Sequence, residues 1–212
     1  MKISLSTNGG KDMQLQIRSQ RKEDYLSHDE GLIDFNHPEV QAKIDEIEKK
    51  TSTLTDRARL AFHFVRDDIQ HSFDTNSTLI TISASETIIK REGICFAKSH
   101  LLAALLRGMG IPAGFCYQRV LRKDTIESGY ALHGLNALFL DGKWFRVDPR
   151  GNKEGIQSEF SMEVEKLAYP IRGALGEMDY PYVFKRPLES VVHAMQTSED
   201  CRALFFKRPE SL

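Results

Sequence analysis

The chain has 212 residues, with 29 lysine and arginine residues against 30 aspartate and glutamate residues, so its formal net charge at neutral pH is −1. This balance gives no electrostatic reason to expect nucleic acid or an anionic membrane as a partner, because both attract an excess of positive charge. A hydrophobic fraction of 41% beside 28% charged residues indicates a folded globular chain and excludes a disordered one.

Cysteine usage and the first ten residues give a further expectation about the cellular compartment. Cys95, Cys116 and Cys201 are odd in number and widely spaced, which argues against a disulfide framework. The first ten residues contain no apolar run of the kind found in secretory signals. We therefore expect a cytoplasmic protein with reduced thiols. No internal repeat or linker interrupts the sequence, and we expect one domain over residues 1–212.

The first part of the chain is predicted to be mainly helical. Apolar residues alternate with polar ones over residues 13–17, which predicts one half-buried strand. A helix is expected to begin at Pro38, and a second one near Asp56. A short third helix is capped by Ser83 or Ser85 and closed by a glycine at residue 93.

Residues 93–109 are the centre of this arrangement. Cys95 follows the Gly93 turn and begins a helix that is apolar without a break from Leu101 to Leu106. A helix that is apolar on all sides is buried, and this one is far too short for a bilayer, which needs about 20 residues. Unpaired N–H groups and the helix dipole favour a thiolate at the Cys95 position. The alternative is that Cys95 is one more small buried hydrophobic residue.

The periodicity then changes from helix to strand. Strands are predicted over residues 114–121, 132–140 and 143–147, and Asp141-Gly142 between the last two is a strong hairpin signal. An antiparallel sheet after a helical half gives an α+β fold. Beyond residue 151 a strand is expected at 159–165, a helix at 187–196 and a surface tail at 207–209.

The hairpin register brings two further reactive side chains together. Counted outward from the two-residue turn, His133 falls opposite Arg150, and Asp148 falls opposite Leu135. His133 and Asp148 therefore have the same parity, which places both on one face of the sheet within diagonal reach.

Cys95, His133 and Asp148 together fit nucleophilic catalysis. A thiolate attacks a carbonyl, an imidazole takes and returns the proton, and a carboxylate orients the imidazole. Asn152 is a rival for the third position, because an amide can also orient the ring. His100 lies on the nucleophile helix but faces away from the thiol.

The mechanism needs no metal or cofactor. His63 and His71 lie eight residues apart in a predicted helix, but no third ligand follows at a recognisable spacing, and we expect no metal site.

From Arg59 to Asn152 the sequence resembles the transglutaminase-like core, a branch of the papain-like cysteine enzymes. The segments that carry the resemblance are Phe64-Val65-Arg66-Asp67, Ser85-Glu86-Thr87, Gly93-Ile94-Cys95, Leu105-Leu106-Arg107, Gly110-Ile111-Pro112-Ala113, Leu132-His133 and Trp144-Phe145-Arg146-Val147-Asp148-Pro149. The resemblance implies Cys95 as nucleophile, His133 as general base and acid, and Asp148 as the orienting acid. It also implies a nucleophile helix packed on an antiparallel sheet, with a core at about 59–152.

Two functions follow from this resemblance. The first is an enzyme that acts on an amide or peptide substrate through a thioester, with hydrolysis favoured over cross-linking. Transglutaminases tend to carry tryptophan directly after the cysteine, whereas Phe96 stands here. The second is an inactive binding module, in which Tyr117, Gln118 or residues 151–212 fill the groove. The sequence leaves the substrate and the oligomeric state open.

Overall fold

The computed structural model describes residues 13–29 and 31–212, which form six α-helices and several small sheets. Residues 1–10, which carry no secretory-signal pattern in the sequence, lie outside the described residues. The helices are α1 (Pro38–Lys50), α2 (Leu54–His63), α3 (Ala84–Lys90), α4 (Cys95–Gly108), α5 (Glu189–Thr197) and α6 (Cys201–Lys207). Within the described ranges no helix is both long enough and apolar enough to cross a membrane.

Four of the eight strands form the main sheet. The strands are β1 (Gln16–Ile17), β2 (Gln70–His71), β3 (Glu92–Gly93), β4 (Ala113–Leu121), β5 (Tyr130–Leu140), β6 (Lys143–Val147), β7 (Met178–Asp179) and β8 (Tyr182–Val183). The main sheet has the order β6-β5-β4-β7 and is antiparallel throughout, whereas β1 pairs with β8 and β2 with β3 in parallel. This mixture confirms the predicted α+β class.

The hairpin that carries two of the site residues has the predicted register. Leu140 pairs with Lys143, and the pairing continues to Asn136 opposite Val147, where β6 ends. Asp141 and Gly142 both have positive φ angles, 48° and 80°. Two consecutive positive φ angles are those of the type I′ turn, which matches the twist of a two-residue hairpin.

Helix α4 lies at the centre of the molecule. Every residue from Cys95 to Arg107 is buried, in agreement with the unbroken apolar run. One side of α4 packs against α1, α2 and α3, and another against β4 and β5. The helix is therefore held on all sides, and its first residue has a fixed position against the sheet.

The connection into α4 differs from the prediction in one respect. Ser83 caps α3 and forms a reciprocal pair with Glu86, as expected for one of the two candidate serines. The helix closes at Arg91, whose φ of 58° is left-handed, and the prediction of Gly93 as its end is wrong. Gly93 lies instead in β3, where a Cβ atom would be 2.8 Å from the Cβ atom of Ala97. The glycine is needed there for close packing.

Three further predictions about element boundaries need correction. Helix α2 begins at Leu54 after a Thr53 cap, slightly before the expected start near Asp56. Residues 159–165 do not form a strand, because only a single bridge joins Glu159 to Lys166. The helix expected at 187–196 is α5, which begins slightly later, at Glu189, and ends at Thr197.

Candidate active site

The thiol of Cys95 meets strand β5 at a position without a side chain. A Cβ atom on Gly134 would lie 2.6 Å from Cδ1 of Phe96, which is nearer than any real Cβ contact. The first turn of α4 can therefore approach the strand backbone only because residue 134 is glycine. In this arrangement the Gly134 backbone is among the groups that lower the pKa of the Cys95 thiol.

His133, the neighbour of Gly134 in β5, connects the thiol to a carboxylate. Its Nε2 lies 2.8 Å from Oδ2 of Asp148, and both side chains are buried. His133 also acts on Cys95, because its charge is the main effect that lowers the pKa of the thiol. Because Nε2 is used by Asp148, Nδ1 is the ring nitrogen that remains for the thiol.

Asp148 is fully buried and has every oxygen in use. Its Oδ1 accepts the Arg150 N–H at 3.1 Å, and its Oδ2 accepts the Ala168 N–H at 3.0 Å in addition to the His133 contact. Burial would raise the pKa of this carboxyl, but the charge of His133 and these hydrogen bonds outweigh it and hold the pKa below its usual range. Asp148 is thus a carboxylate that fixes the imidazole.

Asn152, the alternative to Asp148, and His100, the other histidine considered as the base, contact other groups. The side-chain oxygen of Asn152 accepts the Ser158 N–H at 2.8 Å. The Nδ1–H of His100 donates to the Ile82 carbonyl at 2.7 Å, on another side of α4. The structure therefore brings Cys95, His133 and Asp148 together and leaves Asn152 and His100 in other contacts.

The three cysteine thiols have different electrostatic environments. Burial alone would raise the pKa of the Cys95 thiol, but the charge of His133 and the hydrogen bonds from His133 and Gly134 lower it overall. At the other two thiols burial dominates, and it raises the pKa of Cys116 to about 12 and that of Cys201 to about 11. Of the three cysteines, Cys95 is therefore the one whose environment favours the thiolate.

The pKa of the His133 imidazole is raised, which agrees with the lowered pKa of the Cys95 thiol. Burial would lower the pKa of His133, but the negative charges of Asp148 and Cys95 outweigh it and raise the pKa to about 9. A buried thiolate beside a buried imidazolium is the ion pair that makes cysteine a strong nucleophile near neutral pH.

Cys95 and His133 line a cavity of about 270 Å³, called here the thiol cavity. The residue Cys95 is only 2% exposed, so access to the sulfur runs through this cavity. Part of its wall comes from the 151–212 segment, which contributes Ile156, Tyr169, Phe205 and Arg208. The Tyr169 ring stands edge-on to the His133 ring with centroids 4.7 Å apart.

The sequence does not predict that these residues line the thiol cavity. Residues 207–209 were expected to form a surface tail, which is wrong, because Arg208 is 8% exposed and the Pro209 carbonyl accepts the Leu132 N–H at 2.7 Å. Tyr169 and Ala168 also reach the site from a segment without regular structure. Their contacts come from long-range packing, and no local spacing in the sequence announces them.

His63 ends α2 and His71 lies in β2, so the prediction of one helix that carries both histidines is wrong. Among the residues that the structure describes, no group of three or more histidine, cysteine, aspartate or glutamate side chains is arranged to hold a metal ion. His71 instead lies in the wall of the thiol cavity.

Comparisons with known proteins agree with this arrangement of helix and sheet. A sequence model described as transglutaminase-like superfamily matches residues 41–149. No curated protein matches the chain. A solved structure from Cytophaga hutchinsonii, described as a "Putative Cysteine Protease", is 18% identical with a TM-score of 0.50, over 62% of this chain and 43% of that one.

A second solved structure is described as a TGase, with no organism stated. It is 15% identical with a TM-score of 0.42, over 69% of this chain and 42% of that one. The matches therefore span less than half the length of either solved structure. At 18% identity, the likeness to the Cytophaga hutchinsonii protein shows a shared fold.

Proposed function

The chain belongs to the transglutaminase-like superfamily, and we propose that it is an enzyme in which Cys95 attacks the carbonyl of an amide or peptide. The observation that carries the proposal is the 2.8 Å contact between His133 and the buried Asp148, beside a thiol whose pKa is lowered. Group membership alone would not decide the reaction, because one fold supports many functions.

The proposed reaction has two steps that share one base. In the first, the Cys95 thiolate forms a bond to the carbonyl carbon, and unpaired N–H groups in the first turn of α4 stabilise the oxyanion. The His133 imidazolium then gives its proton to the leaving nitrogen as the C–N bond breaks, which leaves a thioester. In the second step, neutral His133 takes a proton from water, the hydroxyl adds to the thioester carbon, and the C–S bond breaks. Asp148 orients the ring in both steps.

Hydrolysis is favoured over transfer to a second amine substrate. The thiol cavity is about 270 Å³, partly roofed by residues 151–212, and water enters such a space more readily than an amine carried on a second chain. Phe96, where transglutaminases tend to have tryptophan, is buried against Gly134 and is not available to a substrate. Both observations support water as the acceptor.

Residues 151–212 belong to the same functional unit in this proposal. They supply the Ala168 N–H to Asp148, and Tyr169 contacts His133. We therefore treat residues 1–212 as one domain, in which the core at about 59–152 is completed by the segment that follows it.

A binding module without activity is the second candidate, and one observation favours it. Cys95 is 2% exposed, and residues 151–212 cover part of the groove. In that case the reactive residues would serve only to hold the fold, and no substrate would reach the sulfur.

Labelling with a panel of peptide-like thiol-reactive probes tests the proposal. We expect at least one probe to modify Cys95 in the wild type, no labelling of Cys95→Ala, and full labelling of the matched control Cys116→Ala. A peptide related to that probe should then yield a free acid, even with a small primary amine in excess. Modification by no probe would favour the binding module, and a dominant amide product would show a transamidase.

A further inference from the structure

Arg208 is a buried cation in the wall of the thiol cavity. It directly follows α6 and is 8% exposed. A buried guanidinium normally has a carboxylate partner, because removing a charge from water is costly. Within residues 13–29 and 31–212, no carboxylate forms an ion pair with Arg208.

The other cations of the cavity wall each contact a carboxylate. Arg150 and Lys153 both contact Asp74, at 2.5 and 2.7 Å. Arg172 contacts Glu177 at 2.6 Å, and Arg122 contacts Glu210 at 3.1 Å. Each of these cations touches a carboxylate, so within the described residues Arg208 is the cation of the wall that has none.

The position of Arg208 is fixed by its surroundings. The Arg122 guanidinium donates to the Arg208 carbonyl at 3.4 Å, and the next residue is tied to β5 through the Leu132 N–H, one position before His133. The guanidinium lies over the rings of Phe73 and Phe205, 5.0 and 4.8 Å from their centroids. Such stacking on aromatic faces orients a planar guanidinium before any ligand binds.

Most hydrogen-bond donors of Arg208 are not used by the protein. Its Nε–H donates to the Phe205 carbonyl at 3.3 Å, and neither terminal nitrogen has a partner in the described part of the chain. The charge also acts on Cys95, since Arg208 is among the groups that lower the pKa of the thiol. A cation that lines the same cavity as the nucleophile, and whose two terminal nitrogens have no partner in the described residues, can accept a bidentate anion.

We propose that Arg208 binds a carboxylate of the substrate, next to the carbonyl that Cys95 attacks. The inference rests on the proposed function and adds the substrate class: an acyl donor with an anionic group within about one residue of the scissile bond. That carboxylate is either the free C-terminus of the leaving residue or an acidic side chain beside the bond. Both sources present the same planar pair of oxygens to the guanidinium.

Two small alkylating reagents of similar shape test whether Arg208 attracts a carboxylate to Cys95. Iodoacetate carries a carboxylate and iodoacetamide does not, and both need the Cys95 thiolate. The ratio of their alkylation rates at Cys95 therefore cancels any change in the pKa of the thiol. We expect this ratio to fall about tenfold in Arg208→Gln, the effect of losing one charge-assisted contact. Arg172→Gln removes a paired charge from the same wall and should leave the ratio near the wild-type value.

A second measurement uses only the wild-type protein and does not depend on the folding of a variant. N-acetyl dipeptides compete with iodoacetamide for Cys95, in three forms: a free C-terminal carboxylate, a C-terminal amide with a glutamate side chain, and a neutral amide. We expect protection by at least one carboxylate form and little by the neutral one. The form that protects identifies the source of the carboxylate.

The outcomes separate this inference from the function on which it rests. An unchanged rate ratio in Arg208→Gln, or equal protection by charged and neutral dipeptides, would overturn the carboxylate site while Cys95 remained reactive. Failure of both reagents to modify Cys95 selectively would overturn the proposed function and this inference with it.

Discussion

The variant His133→Ala is expected to lose the selective reactivity of Cys95, with the rate of alkylation by iodoacetamide near neutral pH falling by about 100-fold or more. The reason lies in the balance of two effects at the sulfur. Burial raises the pKa of the thiol, and the charge and hydrogen bond of His133 are the main effects that oppose it. Without the ring, burial would dominate, as it does at Cys116.

The measurement is the alkylation rate of each cysteine, followed by mass spectrometry as a function of pH. In the wild type, Cys95 should react well below the pH at which ordinary thiols ionise, whereas the rate in His133→Ala should rise only at alkaline pH. His71→Asn changes another buried histidine of the thiol cavity and should retain the fast reaction. Equal rates at Cys95, Cys116 and Cys201 in the wild type would contradict an activated thiol.

The second large effect on activity is expected when the Asp148 carboxylate is replaced. Asp148→Asn should lower the turnover of a peptide substrate by about 10³-fold or more, because a neutral amide can orient the ring but has no charge to stabilise the imidazolium. The pKa of His133 lies above the usual histidine value, so the protonated ring persists as pH rises and is lost near about pH 9. In the variant this loss should move toward neutral pH, and the alkaline limb of the rate profile should move with it.

The matched control for this variant is Asn152→Ala, because asparagine was the rival for the third position. Its amide contacts Ser158 and not His133, and we expect turnover near the wild-type rate. If Asp148→Asn retained the wild-type rate and the same alkaline limb while Asn152→Ala did not, the roles of the two residues would have to be exchanged.

The pairing of His133 with Asp148 could be predicted from the sequence because a short turn determines the register. Asp141-Gly142 permits a two-residue loop, and side chains alternate strictly along both strands. Counting then places His133 and Asp148 on one face, and the structure has this register as far as β6 extends. The burial of helix α4 was predictable for a similar reason, because an unbroken apolar run has only one stable environment in a globular protein.

The wall of the thiol cavity could not be predicted, because its residues reach the site through long-range packing. Tyr169 lies in irregular chain, and Arg208 follows a helix far from Cys95 in sequence. The sequence Lys207-Arg208-Pro209 is typical of an exposed tail, and it is held inward by long-range contacts of Pro209 with β5 and of Arg208 with Arg122. Gly93 was misinterpreted for a related reason, since its lack of a side chain serves packing against Ala97 and not the end of a helix.

The central claim is that the Cys95 sulfur is a thiolate held by His133 in the resting protein. Ultraviolet absorbance of the thiolate measures this directly, as the difference between the wild type and Cys95→Ser during titration from alkaline to acidic pH. We predict that the thiolate signal persists well below the ordinary thiol pKa of about 8.5 and that His133→Ala removes it. A signal that disappears at or above that pH, in the wild type as in the variant, would contradict the account.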